Sequence, residues 1–484
     1  MRDLFVNPAS LSRQLNGWRG PEGEPAYRRL SEALKLMILD GRLPLATRLP
    51  GERRLAETLG VSRITVSAAL DRLRAEGFVS SRVGSGSFTA LPASPAARPA
   101  PRLDGPLQQA VPPGVVDMAT AVMPADEQVH AAYARALEAL PAYLPGHGYE
   151  PVGVEALRQV VADRYAAEGL ATCPDQIVTT AGAQNALALL LRAATRPGDA
   201  VVIEHPTYPH ALDAMLRAGL RAAPVAMTAS GWDMEGLIPA IERARPRLVY
   251  LIGAHQNPTG HVMSAEDEAA VARAAQRVGA LLVLDDTLRE VWFDRPPPPP
   301  ADHGPHVVRL GSTSKPYWGG LRVGWLRGHA EVVDAVVRHR PSLDLGAPVM
   351  EQLAAAILLS GDPAPLNARR RLLAEREARL RAGLAAALPE WKTRRPDGGL
   401  SLWVELPRPD STRLALAAPD HGVRIAPGTR FGLNGAFDRF IRLPFSQTEA
   451  DLDRAVAGLA SAWRTLDRSA PRKAMTRDHA EPVI

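Results

Sequence analysis

The sequence predicts a multidomain protein: a small α+β head, an extended linker, and a large α/β body with a smaller C-terminal domain. Three observations carry this reading. At 484 residues the chain has room for about three domains at roughly 150 residues each. From Ala90 to Gly114 it holds Pro92, Pro95, Pro99, Pro101, Pro106, Pro112 and Pro113 without apolar periodicity. Such a stretch cannot bury enough surface to fold by itself and reads as a semi-rigid spacer. The charge is also divided: residues 1–90 carry 14 basic and nine acidic side chains, whereas the remainder carries 43 of each. The entire formal net charge of +5 therefore lies in the first fifth of the chain, which points to an anionic partner for one module. The expected boundaries are a head at 1–90 (core about 24–90), a linker at 91–114, a large domain at 115–330, a small domain at 331–467 and a disordered tail at 468–484.

Composition narrows the class. A hydrophobic content of 46% and a charged content of 23% exclude global disorder. No run of about 18 apolar residues is present and the first residues lack an apolar signal core, so the expectation is a cytoplasmic protein without a membrane segment. A single cysteine, Cys173, excludes a disulfide framework and a cysteine-rich metal site. No metal is expected.

In the head, Leu30, Leu34, Met37 and Ile38 fall on one face of a helix over residues 25–40, closed by Gly41. Residues 52–59 form a short second helix ended by Gly60, and Ser62 can cap a third that presents Val66, Ala69, Leu70 and Leu73 inward and stops at Gly77. Only Gly60 and Val61 separate the second helix from the cap, a helix-turn-helix spacing. Phe78–Arg82 and Ser87–Ala90 read as two strands joined through Val83-Gly84-Ser85-Gly86. Arg63, Thr65 and Ser67 then lie at the exposed start of the third helix, Arg53 opens the second, and Arg82 and Gly84 sit in the wing. The arginine fork suits phosphate and guanine edges. The bland alternative is a three-helix domain with a solvated basic face.

Four separated segments of the body carry chemistry. Gly311-Ser-Thr-Ser-Lys-Pro-Tyr-Trp-Gly-Gly-Leu-Arg-Val-Gly324 contains Lys315, one of only four lysines beside 53 arginines. A lysine amine can condense with an aldehyde cofactor, which arginine cannot do. Ser312, Ser314 and Arg322 are suited to phosphate. In Val178–Leu191 a β-rich run turns at Gly182 into an apolar helix, whose Ala183 and Gln184 N–H groups would face an anion. Leu248–Gly260 is a buried strand followed by Asn257-Pro258, and Leu281–Thr287 is a strand ending in Asp285 and Asp286. A buried aspartate there could hold a pyridinium nitrogen protonated; a metal-binding or helix-capping carboxylate is the alternative. The Pro296–Pro300 run marks a loop, Ala368–Leu388 an amphipathic helix and Gly399–Leu406 a strand.

The run LPGERRLAETLGVSRITVSAALDRLRAEGFVSSRVGSGSF resembles the winged helix-turn-helix of the GntR family of bacterial transcription factors. This implies a double-stranded DNA operator as partner and DNA contacts best carried over to Arg53, Arg63 and Gly84. Together these four segments, Val178–Leu191, Leu248–Gly260, Leu281–Thr287 and Gly311–Gly324, resemble the class I/II aminotransferases of fold type I over roughly residues 115–465, most specifically at HQNPTG and at STSK-to-Arg322. The implied cofactor is pyridoxal 5′-phosphate, held by Lys315 as a Schiff base. The resemblance further implies that Asp285 pairs with the ring nitrogen, Asn257 with the ring hydroxyl and Tyr208 with the ring face. It assigns the phosphate to Ala183, Gln184, Ser312, Ser314, Arg322 and the partner subunit's Tyr149, and an amino-acid carboxylate to Arg442. Thr287 stands where relatives carry a tyrosine that bonds the ring hydroxyl. The fusion resembles the MocR subfamily, implying a homodimeric, domain-swapped regulator without sustained turnover. Its amine or amino-acid effector would exchange at the Lys315 Schiff base. An active aminotransferase with an appended head, or a regulator of the cofactor itself, remain the alternatives.

Overall fold

The computed structural model describes residues 25–39, 47–82, 86–90, 111–112 and 114–469, with isolated positions before residue 25 and Leu43. Gly41, Gly84, most of the linker, the tail beyond residue 469 and the Arg82 side chain lie outside the described residues. The chain divides into two compact units, Met1–Gln109 with Ala125–Ala131, and Ala110–Pro124 with Ala132–Ile484.

The head contains helices α1 (Ala26–Leu39), α2 (Glu52–Leu59) and α3 (Arg63–Ala75) and strands β1 (Val79–Arg82) and β2 (Gly86–Thr89). Gly60 ends α2 in the left-handed region at φ 64°, a conformation that glycine adopts without a Cβ penalty. Two residues later the Ser62 side chain accepts from Thr65 N at 3.0 Å and caps α3. Val66, Ala69, Leu70 and Leu73 of α3 are buried with Leu30, Leu34 and Met37 of α1 and Leu55 of α2. β1 and β2 pair antiparallel, and Leu49 N donates to Ser87 O at 2.8 Å, so the chain before α2 extends the wing.

The body is built on an eight-stranded sheet. Its strands are β4 (Ile177–Thr180), β5 (Ala200–His205), β6 (Arg221–Thr228), β7 (Gly231–Trp232), β8 (Leu248–Leu251), β9 (Leu281–Asp285), β10 (Val307–Ser312) and β11 (Gly324–Arg327). The order is β4-β11-β10-β9-β8-β5-β6-β7, parallel from β10 through β6, with β11 antiparallel to both of its neighbours. The central strands are apolar on both faces because helices cover both. Val201, Ile203, Tyr250 and Val283 join one core with the helix Ala183–Ala194, and Val202, Val249, Leu251 and Leu282 join the other with the helix Ala265–Val278. Successive side chains leave opposite faces of a strand, so each strand feeds two cores.

A second sheet of five strands, β3 (Val116–Met118), β12 (Lys392–Thr393), β13 (Ser401–Glu405), β14 (Val423–Pro427) and β15 (Phe440–Pro444), has the order β12-β13-β15-β14-β3. Helices Ala364–Ala387 and Glu449–Ser469 pack on it through Leu373, Leu380, Leu384, Leu459 and Trp463. β3 follows the linker in sequence but pairs in parallel with β14, so the first strand of the body belongs to the C-terminal sheet. The sequence alone places residue 116 with the large domain, because its partner strand is more than 300 residues away. Pro296–Pro300 is irregular, as expected. No helix among the described residues is long and apolar enough to cross a membrane.

Candidate functional site

The carboxyl ends of β4, β5, β8, β9 and β10 converge on one edge of the large sheet, the place where open α/β sheets bind ligands. A cavity of about 430 Å³ lies there, and its wall includes Ala183, Gln184, Tyr208, Asn257, Asp285, Ser312, Ser314, Lys315 and Arg322. Nine of the sequence-predicted residues, spread over 140 positions of chain, are thus brought together by strand order. Arg442 and Tyr149 are not on this wall. Arg442 touches it through Asn257, to whose Oδ1 its Nη1 donates at 3.5 Å, and Tyr149 is 57% exposed.

At one end of the cavity β9 delivers Asp285. Tyr250 Oη donates to its Oδ2 at 2.7 Å, Thr287 N donates to Oδ1 at 3.0 Å, and the Thr287 hydroxyl donates to the same oxygen. Burial pushes the Asp285 carboxyl above the usual carboxylate range, while these donors oppose the shift. Thr287 thus serves the aspartate, and Tyr250, from the middle of a buried strand, is a partner that the sequence reading did not single out.

At the other end the helix Ala183–Ala194 presents its first N–H groups, which have no preceding turn to bond. Gly182 precedes it at φ 94°. A Cβ at Gly182 would stand 2.8 Å from Arg322 Nη2, and one at Gly324 would stand 2.6 Å from Ala183 N, so both glycines permit a close approach that a side chain would block. Arg322, itself left-handed at φ 50°, donates through Nη2 to Ala181 O at 2.8 Å. Ser312 Oγ donates to Ser314 Oγ at 2.9 Å and accepts from Ser314 N at 3.1 Å. Hydroxyls, helix N–H groups and a guanidinium, all donors suited to an anion, thus share this part of the cavity wall.

Lys315 lies between these ends. Burial first, then the nearby positive charge of Arg442, pulls its amine down to about 8, partly offset by Asp285. Its Nζ donates to Ala121 O at 3.0 Å. Arg442 Nη2 donates to Ala119 O, and burial lowers the guanidinium to about 10. One short segment after β3 therefore supplies carbonyls to both cations. Tyr208 is pushed up to about 12 by burial and then by Asp285.

Glu204 was also missed. The penultimate residue of β5, it lies among apolar neighbours, accepts from Ile252 N at 3.1 Å, Gln256 Nε2 at 2.9 Å and Trp232 Nε1 at 2.6 Å, and burial raises it to about 7. Gln256 also donates to Pro206 O at 2.8 Å, so the pair ties the loop bearing Tyr208 to the loop bearing Asn257. A charged residue inside an otherwise apolar strand was the available signal.

On the head, Arg48, Arg53, Arg54 and Arg63 line a concave surface with Gly51 and Gly86, where they outnumber Glu52 and Glu57. The Arg63 side chain is 72% exposed and the Arg53 side chain, which donates to Glu57 at 3.1 Å, is 86% exposed. Thr65 and Ser67 are half-buried, and the Thr65 hydroxyl is 2.8 Å from Ser62 Oγ. Arg48 and Arg54 were not anticipated; Arg48 joins the surface because its strand bridge to Phe88 brings it beside Gly86. Among the described residues no cluster of His, Cys, Asp and Glu could hold a metal.

Comparison with known proteins gives two matches. Residues 26–89 match the gntR family of bacterial regulatory proteins, and residues 115–459 match the aminotransferase class I and II family. The chain is 32% identical over 443 residues to the uncharacterized HTH-type transcriptional regulator YdcR of Escherichia coli (strain K12), covering 86% of this chain and 94% of that one. It is 30% identical over 441 residues to the probable rhizopine catabolism regulatory protein MocR of Rhizobium meliloti, covering 84% and 87%. The alpha-aminoadipate aminotransferase LysN from Thermus thermophilus, solved with N-(5′-phosphopyridoxyl)-L-leucine, superposes with a TM-score of 0.68 at 28% identity, covering 75% of this chain and 97% of that one. The chain belongs to the MocR subfamily of GntR-type DNA-binding transcriptional regulators, a winged helix-turn-helix fused to an aminotransferase class I and II body.

Proposed function

We propose that the body binds pyridoxal 5′-phosphate in this cavity and, with it, senses an amine or amino acid that changes the operator affinity of the head. The observation that carries the reading is the order along one wall: a buried carboxylate at Asp285, the lowered amine of Lys315, and the anion cradle at Ala183, Ser312, Ser314 and Arg322. The chain's residues fit the cofactor, since the Ser312 and Ser314 hydroxyls, the Arg322 guanidinium and the first N–H groups of the helix Ala183–Ala194 share one cavity wall with Lys315 and Asp285. Lys315 would hold its aldehyde carbon, Asp285 its ring nitrogen, Asn257 its ring hydroxyl, Tyr208 its ring face, and Ala183, Gln184, Ser312, Ser314 and Arg322 its phosphate. When bound, pyridoxal 5′-phosphate supplies an aldehyde that condenses with amines and a ring that withdraws electrons.

The protein's own part is positioning and competition. Burial keeps a large fraction of Lys315 as the neutral, nucleophilic amine near pH 8. An amino acid reaching Lys315 and Arg442 competes with the carbonyls of Ala121 and Ala119. That segment continues from β3, the first strand after the linker, which supports a route from ligand to head. An effector shifts DNA-binding states only by its difference in affinity for them. The exposure of Tyr149 and its place off its own cavity support a homodimer in which it serves the partner's site. A domain-swapped arrangement uses the linker, and operator binding places the protein at the cytoplasmic nucleoid. On the head, Arg53, Arg63, Thr65, Ser67, Arg82 and Gly84 are the proposed DNA contacts.

The full chain loaded with pyridoxal 5′-phosphate and challenged with a panel of amino acids and oxo acids tests the reading. We expect visible absorbance that Lys315→Ala abolishes, and an amine that shifts both the spectrum and operator affinity. Sustained turnover without any effect on DNA binding would make the protein an enzyme with an appended head.

A further inference from the structure

The head's core is complete without one of its largest apolar side chains. Ile64, the second residue of α3, is 81% exposed, more than any other large hydrophobic residue among the described residues. A β-branched side chain at a solvated helical position has less favourable helix propensity than alanine or arginine and here contributes no burial. Its surroundings are not those of an apolar protein contact: Arg63 precedes it, Ser62 caps the helix, and Arg53 and Arg54 share the basic surface with Arg63. At 3.6 residues per turn, Arg63 and Ser67 form one row along the start of α3, and Ile64 and Ala68 form the next. A polar row and an apolar row stand side by side where a recognition helix meets the major groove.

The major-groove edges of the bases carry one apolar group, the C5 methyl of thymine. We propose that Ile64 reads a thymine methyl in each operator half-site, next to the base pair contacted by Arg63, and so determines part of the sequence preference. The inference rests on α3 being the recognition helix. It assigns Ile64 to base readout beside Arg63, whereas Arg53 and Arg54 position the head on phosphates.

The test begins with operators selected by the full chain from a random duplex library. Each recurrent thymine is then replaced by deoxyuridine, which removes the methyl alone. Burial of one methyl-sized group corresponds to about fourfold in affinity. At one position per half-site the replacement should weaken wild-type binding about fourfold and leave Ile64→Ala unaffected. Selection with Ile64→Ala should lose thymine at that position and keep the rest of the site. Because Ile64 is exposed, Ile64→Ala should melt with the wild type. If every deoxyuridine weakens both proteins equally, or Ile64→Ala selects the unchanged site, the assignment is overturned. Arg63→Ala separates the two levels: lost affinity there with no effect at Ile64 leaves the recognition helix in place, whereas unchanged affinity and site for both variants removes α3 from base contact altogether.

Discussion

Lys315 illustrates how little of a residue's chemistry is in its name. Its retention beside 53 arginines singles it out in the sequence, but the lowered amine depends on burial and on Arg442, which is 127 positions away. The sign of the effect follows from linkage. The amine's folded value of about 8 is below its ordinary 10.5, so its contribution to stability is fully present above 10.5 and is lost as pH falls through about 8. The ligand-free chain should therefore lose melting temperature as pH falls toward 8, and Lys315→Met should flatten that part of the profile. Thermal melts of both proteins across this range check it; parallel profiles would mean an ordinary, solvated amine. Asp285 was likewise legible as a strand-end acid, whereas its bond from Tyr250 was not, because cross-strand neighbours depend on strand order.

At the scale of elements, local chemistry is well written in the sequence. Gly60, Ser62 and the period of Val66, Ala69, Leu70 and Leu73 mark the helix-turn-helix to within a residue, since capping and helical period are short-range effects. The two glycines at the anion cradle show where local reading ends. Gly182 could be read as a turn, but the need for Gly324 arises because β11 passes against the start of the helix Ala183–Ala194. Gly324→Ala would drive a Cβ into Ala183 N and the Gly182 carbonyl carbon, both backbone atoms that cannot rotate away. It should destabilise the body by about 1–3 kcal/mol, as overpacking typically does, and weaken retention of pyridoxal 5′-phosphate. Calorimetry together with cofactor titration checks this, and an unchanged melt with unchanged retention would refute the close approach.

For the whole molecule, charge is divided by module. The head carries the net +5 and the basic surface of Arg48, Arg53, Arg54 and Arg63, while the remainder is balanced at 43 against 43. Counterion release from DNA should then make operator affinity fall by about a thousandfold or more between 50 and 200 mM salt, if six or more phosphates are neutralised. Effector affinity measured without DNA should change far less over the same range, because Arg442 and Asp285 at that site are buried and hydrogen-bonded within the chain. Titrations of each ligand at several salt concentrations check the contrast, and equal slopes would contradict the modular division.

The two modules, the helix-turn-helix and the residue types of the cavity follow from local sequence, because these depend on period, spacing and turn chemistry within a few residues. Long-range packing, in contrast, joins β3 to the C-terminal sheet across more than 300 residues, lets Glu204 and Gln256 tie two site loops together, and sets Ala119 and Ala121 against Arg442 and Lys315. These contacts are made by backbone carbonyls and buried side chains whose partners are chosen by strand order, and strand order is set by packing of the whole sheet, not by any local pattern.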